Sequence, residues 1–437
     1  MKIHLSTLGC KVNQYESQAV ASMLRKRGCE ISDSAEGCDA IIVNTCAVTA
    51  EAVRKSRQAI RNLSSKSPGA LVVICGCWPQ TEPDAARAFG ADVVFGSGSK
   101  HELVEAVLAG NRAENIDRAF SRRVFESLPS GSAENRTRAL IKIEDGCVNF
   151  CSYCVIPYAR GAVRSLPIEA AAAEAKKLVA EGYREIVLTG IEIASYGTDL
   201  PGKPGLADVT EAIIKAAPGV RVRLGSLEPR IITEDFCKRL SVYPELCGQF
   251  HLSLQSGCDE TLSRMRRKYD TARFYESVEL LRRYFPNCGI TSDLITGFPA
   301  ETEEEFSETL EFIKKCAFSQ MHVFPYSRRA GTPADEMQEQ VPKAVKEARA
   351  RKASAVAAEM KREFAASQVG KTLSVLFETE KSPGVFEGHS KNYLLVSAKG
   401  EALRNRVCSV LITGAEGAVL FGDIINDQRG SNNGKSL

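Results

Sequence analysis

The chain reads as an α/β protein in three parts: an open parallel sheet with helices over residues 1–110, a partial (β/α)6 barrel over 138–368, and a small β-barrel over 369–428. Three observations carry this. Short apolar runs alternate with helical stretches through the first hundred residues. The alternation restarts at 138 for six more units, and from 371 it gives way to short strands joined by Gly-containing turns.

The first strands are KIHLSTLG, DAIIVNT, LVVICG and DVVFGS, with helices expected over 13–28, 50–64, 79–89 and 99–109. Residues 111–137 are rich in charge and turn formers and read as a linker. The barrel strands are ALIKIEDG, EIVLTGIE, RVRLGSLE, FHLSLQSG, GITSDLITG and MHVFPYS. In such barrels the chemistry sits at the C-terminal strand ends, where this sequence puts Glu192, Ser226, Glu228, Gln255 and Asp293. A Lys/Arg/Ala/Glu stretch over 342–368 has strong helix propensity and leads out of the barrel. Beyond it TLSVLFE, NYLLVSA, RVCSVLITGAEG and AVLFGDI are strands of a small barrel, and 429–437 read as a flexible tail.

Composition sets the context. The 437 residues are 44% hydrophobic, enough for a folded core throughout. Lys and Arg number 57 against 54 Asp and Glu, so a nucleic-acid footprint must come from local clustering and not from bulk charge. The N-terminus lacks a basic-then-apolar signal and no run approaches a membrane span, so a soluble cytoplasmic protein is expected. Fifteen cysteines without a secretion signal argue for metal or redox chemistry over a disulfide framework.

The stretch IEDGCVNFCSYCVIPYARG sets Cys147, Cys151 and Cys154 in a C-x3-C-x2-C array directly after a strand. Three thiolates on a four-iron cluster leave one iron open to an outside ligand. Structural zinc would want a fourth Cys or His nearby, and no His lies between His101 and His251. With Tyr153 before the last Cys, the array resembles the radical S-adenosylmethionine superfamily. That resemblance implies that the open iron chelates S-adenosylmethionine and that an electron cleaves it to a 5′-deoxyadenosyl radical. The candidate cofactor contacts are Tyr153, Gly190 in LTGIE, Glu192, Ser226, Glu228, Gln255 and Asp293.

Cys10, Cys46 and Cys77 each stand just past a parallel strand of the first part, where strand ends converge on one crevice. From position alone they are either joint ligands or ordinary buried cysteines. TLGCKVNQYES, VNTCAVT, GCWPQ, the radical array, YARGAVRS, LTGIEIASYG, LGSLEP, LSLQSGCDETLSRMRRKY and SDLITGFPAET together resemble the methylthiotransferase family across nearly the whole chain. The resemblance implies an N-terminal domain whose auxiliary 4Fe-4S cluster is held by Cys10, Cys46 and Cys77, a radical barrel, and a C-terminal TRAM barrel that binds RNA. GCKVNQYES is similar to the branch acting on threonylcarbamoyladenosine of tRNA. Trp78-Pro79 departs from the small or flexible residues more usual there. The remaining nine cysteines match no ligand motif.

Charged residues are weaker candidates. Arg264, Arg266, Arg267, Lys268 and Tyr269 could grip phosphate and stack a base, or form a solvated helix end. Arg160 and Arg164 could bind the cofactor carboxylate or RNA, or make a loop-stabilising ion pair. Arg328 and Arg329 lie near the barrel mouth, and Lys371, Lys391, Arg404 and Arg406 of the tail offer phosphate contacts. No residue is singled out as catalytic. The expected enzyme uses two 4Fe-4S clusters and S-adenosylmethionine, acts on the tRNA anticodon stem-loop, and takes electrons from an external donor, with no membrane or DNA partner. Its competitors act on isopentenyladenosine or a ribosomal-protein aspartate, or form a non-catalytic iron-sulfur protein that binds RNA.

Overall fold

The computed structural model describes residues 1–130 and 137–427; residues 131–136, within the expected linker, and 428–437, which include the expected tail, lie outside the described residues. Strands β1 (Lys2–Thr7), β2 (Glu30–Ser32), β3 (Ala40–Thr45), β4 (Leu71–Gly76), β5 (Val93–Phe95) and β6 (Ala113–Asn115) form one parallel sheet in the order β2-β1-β3-β4-β5-β6. The two edge strands were not anticipated. Each has three residues, too few to show periodicity, and β6 falls inside the stretch read as linker. Helices α1 (Lys11–Lys26) and α2 (Ala50–Ser64) follow β1 and β3. The helix expected over 79–89 is two short pieces, Cys77–Thr81 and Pro83–Arg87. Pro83 forces Glu82 out of helical geometry, at φ −133° and ψ 62°.

The central part contains β7 (Arg138–Lys142), the short pair β8 (Glu144–Asp145) and β9 (Arg164–Ser165), and then β10 (Glu185–Thr189), β11 (Arg221–Leu224), β12 (Ser226–Leu227), β13 (Gln249–Gln255), β14 (Gly289–Thr296) and β15 (Gln320–Pro325). Parallel pairing runs β7-β10-β11 and β12-β13-β14-β15, and β11 and β12 are one strand position broken at Gly225. The arc is thus a six-position partial barrel, open between β7 and β15. Its outer face packs Ile186, Leu188, Val222, Phe250, Leu252 and Ile290 into the main core. Helix Lys343–Ala366 leads to β16 (Thr372–Ser382), β17 (Val385–Ser390), β18 (Leu395–Lys399), β19 (Val407–Glu416) and β20 (Val419–Asp427), a closed barrel. The unanticipated strand is β17, where Gly388 interrupts the apolar pattern. A Cβ there would lie 2.1 Å from the Leu376 carbonyl oxygen, so the closure of β16 onto β17 demands glycine.

Charged contacts join the central and C-terminal parts. Arg138 pairs with Glu378 at 2.7 Å, and Arg223 lies 4.5 Å from the Tyr393 ring centroid. Arg221 donates to the carbonyls of His389 and Ser390, each at 3.0 Å. Lys371 donates to Asn287 Oδ1 at 2.9 Å and Lys391 to the Pro244 carbonyl, so both are turned onto the central part and away from the phosphate role expected of them. Among the described residues, no helix is long and apolar enough to cross a membrane.

Candidate functional site

In the first sheet β1, β3 and β4 are neighbours, with Thr7 paired to Asn44 and Thr45 to Gly76. That register brings Cys10, Cys46 and Cys77 to one level just past the strand ends. The approach is tight. Gly9, at φ 110°, would place a Cβ 2.9 Å from Cys46 Cβ and 3.1 Å from its Sγ. Burial pushes the Cys46 thiol up to about 11, with Cys77 and Cys10 as charged neighbours adding to the rise. Burial raises the Cys77 thiol as well, and Cys10 is again a neighbour. Cys75, by contrast, points into the sheet core beside Ile42 and Val73.

Asn13 of α1 ties this crevice together. Its Nδ2 donates to the carbonyls of Leu8, at 2.9 Å, and Thr45, at 3.0 Å, and its Oδ1 accepts from Arg160 Nη2 at 2.9 Å. Arg160 also forms an ion pair with Glu16 through both oxygens and lies against the Cys77 thiol. It is fully buried. This corrects the expectation of a cofactor or RNA contact: Arg160 comes from the loop of the second cysteine array and bonds the first. Arg164 is corrected likewise, donating to the Arg160 and Ala162 carbonyls, at 3.0 and 2.6 Å, and facing Asp145 at 3.4 Å. Asn13 and Glu16 were quoted within GCKVNQYES without a role; their spacing of three on one helix face was the signal available.

The second array follows β8. Gly146, at φ 103°, would place a Cβ 2.0 Å from the Ala162 carbonyl oxygen, so the loop closes on itself only with glycine. Cys147, Cys151 and Cys154 are mutual electrostatic neighbours, and burial pushes the Cys154 thiol up to about 12. Arg267 Nη1 donates to Cys151 Sγ at 3.1 Å and to the Tyr153 hydroxyl at 3.4 Å, and its Nε to the Tyr269 hydroxyl at 2.9 Å. Tyr269 is buried and donates to the Leu254 carbonyl at 3.0 Å. Arg267 and Tyr269 are therefore supports of the cysteine loop and not the phosphate grip and base platform expected. Arg264 is held by Glu305 at 2.5 Å, Arg328 by Asp335 at 2.7 Å and Arg329 by Glu82 at 2.9 Å. Arg266 is exposed.

Tyr153 packs edge-on against Phe298. Gly190 lies beneath Glu144, whose Oε2 a Cβ at that position would approach to 2.8 Å. Glu192 donates its N–H to that oxygen at 2.7 Å, while its own Oε2 accepts from Asn149 Nδ2 at 3.3 Å. Burial pushes the Glu192 carboxyl up to about 7 against the pull of Arg267, with Glu228 adding to the rise. Its Oε1 is buried without a hydrogen-bond partner among the described residues. Glu228 pairs with Arg230 at 2.8 Å, and Ser226 is exposed. Gln255 takes a left-handed φ of 71° where the β13–β14 register shifts. Asp293 is engaged by His251 Nε2 at 3.3 Å, and His251 Nδ1 meets Thr291 Oγ1 at 3.0 Å. His322 stands opposite Asp293 in register. Of this polar wall only Asp293 was expected; His251, Thr291 and His322 went unnoticed because their strand pattern reads equally as a solvated face.

The two cysteine sets share a wall. Ala47 and Cys77 from the first part pack with Val155 and Ala159 in one small buried cluster, so a single helical turn, Ile156–Arg160, stands between them. Among the described residues no three His, Cys, Asp or Glu side chains close on a single metal ion. A four-iron cube spreads its thiolates wider than one ion does, and the unpartnered Glu192 oxygen beside one set supplies the polar contact that an ammonium group needs. Both donor sets fit clusters better than they fit zinc.

Family models described as Radical SAM superfamily and Uncharacterized protein family UPF0004 match residues 141–313 and 2–96. The Threonylcarbamoyladenosine tRNA methylthiotransferase MtaB of Bacillus subtilis (strain 168) is 37% identical over 90% of this chain and 89% of its own. The tRNA-2-methylthio-N(6)-dimethylallyladenosine synthase of Symbiobacterium thermophilum is 32% identical over 97% and 94%. Among solved structures, the radical S-adenosylmethionine methyltransferase TsrM from Kitasatospora setae, with cobalamin and a [4Fe-4S] cluster bound, superposes with a TM-score of 0.55 at 16% identity. That likeness covers 88% of this chain and 80% of the other.

Proposed function

Because the chain belongs to the methylthiotransferase family of radical S-adenosylmethionine enzymes, we propose that it converts threonylcarbamoyladenosine, next to the anticodon of tRNA, to its 2-methylthio derivative. The carrying observation is the 37% identity with a relative of that printed activity across nine-tenths of the chain, in a protein that brings two three-cysteine sets to one wall. When bound, one 4Fe-4S cluster would supply the electron that cleaves S-adenosylmethionine and the other would hold or supply the sulfur that replaces an aromatic hydrogen, chemistry outside the reach of side chains alone.

The chain's own residues hold and orient. Cys147, Cys151 and Cys154 would carry one cluster and Cys10, Cys46 and Cys77 the other. Glu192, with its unpartnered oxygen, and Gly190, with no side chain to intrude, make room for the amino group of S-adenosylmethionine. Tyr153 and Phe298 wall the loop against water. The lumen wall beside them is polar, with His251 bonded to Asp293 and Thr291, and with His322 exposed. Such a wall suits the hydroxyl and carboxylate of the threonylcarbamoyl substituent better than an apolar isopentenyl group. The closed C-terminal barrel is the TRAM module of this reading and a contributor to RNA affinity. The reading also calls for an external electron donor and places the enzyme in the cytoplasm with its tRNA.

The test offers the reconstituted enzyme two anticodon stem-loops together, one with threonylcarbamoyladenosine and one with isopentenyladenosine. Mass analysis of the nucleosides should find methylthio product from the first. Preference for the second would reject the substrate assignment and leave the radical methylthiotransferase reading intact.

A further inference from the structure

Helix α2 begins four residues after Cys46, and its Ala50 N–H donates to Ser327 Oγ at 3.2 Å, just past β15. The helix therefore borders the mouth onto which the barrel strands open. Arg54, Arg57 and Arg61 line one side of it, facing Arg329 across a cavity of about 710 Å³. On the other flank Lys55 borders a more apolar cavity of about 630 Å³, whose wall includes Phe324, 48% exposed.

The first cavity is lined by four arginines and one carboxylate, Glu82. That local excess of three equals the net charge of the entire chain, +3. Glu51 pairs with Arg54 from outside at 2.6 Å, but both side chains are more than half exposed, so the pair neutralises little. Arg57 lies 5.1 Å from the Trp78 ring centroid and Arg61 5.3 Å from that of Phe89. Trp78 Nε1 in turn donates to Glu82 at 3.2 Å. Glu82 meets Arg329 at 2.9 Å and Arg57 at 3.5 Å, one carboxylate between two cations, and aromatic stacking fixes Arg57 and Arg61 without discharging them, so net positive charge is held in place for an outside anion. Trp78 touches Arg57 directly and reaches Arg61 and Arg329 through Phe89, 5.7 Å away edge-on, and Glu82.

The anion must be extended, since Arg54 and Arg61 stand on the order of 10 Å apart along the helix. We propose that the arginines of α2, backed by buried Arg329 and its partner Glu82, form a second RNA grip, separate from the C-terminal barrel, that holds backbone phosphates of the nucleic acid whose base enters beside the cysteine sets. Phe324, exposed next to it, is the platform for an unpaired neighbouring base. This rests on the tRNA reading of the site.

The experiment is an anisotropy titration of the full-length protein with an unmodified anticodon stem-loop across a salt series. Arg54→Ala/Arg61→Ala should weaken binding about tenfold and flatten the log–log salt slope by about 1.4, two single-strand phosphate contacts. Its melting temperature and reconstituted iron content should match those of the unsubstituted protein, and Arg54→Lys/Arg61→Lys should stay within about threefold of it in affinity. Unchanged affinity and slope in the Ala variant, or an equal loss in the Lys variant, would overturn the grip. Unsubstituted protein that binds the RNA in this way but methylthiolates neither modified stem-loop would sink the proposed function alone, and absence of RNA binding would sink both.

Discussion

Arg160 and Arg267 stand in parallel places, one guanidinium against each cysteine set. Arg267 donates to Cys151 Sγ at 3.1 Å, and Arg160 lies against Cys77 while satisfying Glu16 and Asn13. Burying a cation is costly unless its partners are complete, and removing one partner strands the others. Arg160→Met should therefore destabilise the protein by about 3 kcal/mol in denaturant unfolding, because Glu16 loses its two-oxygen partner and keeps Lys142, at 3.3 Å, as its ion pair. A surface role for Arg160 would give no measurable change. Glu192 makes a different demand. Glu192→Gln should weaken S-adenosylmethionine binding about tenfold, the value of one charge-assisted hydrogen bond, while iron content and the visible absorption of the clusters hold. Equal affinity in calorimetry would remove Glu192 from the cofactor site.

At the scale of elements, the joint between the central and C-terminal barrels rests on Glu185 of β10. Burial alone would raise its carboxyl, but Arg223 and Arg221 outweigh burial and hold it at about 2, below its ordinary value of 4.5. A depressed carboxylate stabilises the fold above its ordinary value, and that contribution is lost as pH falls from about 4.5 towards 2. The contribution is about 3 kcal/mol at neutral pH. Glu185→Gln should abolish this acid-dependent part of the unfolding curve and lower neutral stability by a similar amount. An unchanged acid limb would show that the ion triplet does not link folding to pH. For the same reason, cutting the chain at 371 would strip Arg138 and Arg223 of Glu378 and Tyr393, so substitutions on the barrel surface are a cleaner probe of its share in RNA binding. The long strands and α2 were legible because each spans several periods of its pattern. β2 and β6 span three residues each, and β17 carries Gly388, so hydrogen bonding to a neighbouring strand defines them and local pattern does not.

In the whole molecule, two cysteine sets from separate sheets meet across the turn Ile156–Arg160. The array Cys147, Cys151 and Cys154 was legible from its spacing, whereas position alone left Cys10, Cys46 and Cys77 as either joint ligands or buried cysteines, and only the family resemblance joined them. The charges around them were not legible: Arg160 and Glu16 are 144 positions apart, and an arginine before a glycine reads alike whether it meets solvent or a buried carboxylate. The proposed reaction requires both sets for one product. The most direct measurement replaces Cys10, Cys46 and Cys77 together by Ala, reconstitutes iron anaerobically, and follows S-adenosylmethionine cleavage and methylthio product side by side. Iron should fall from about eight to about four per chain, with cleavage retained and methylthiolated nucleoside absent. Full product formation by that variant would contradict the joint action of the two sets.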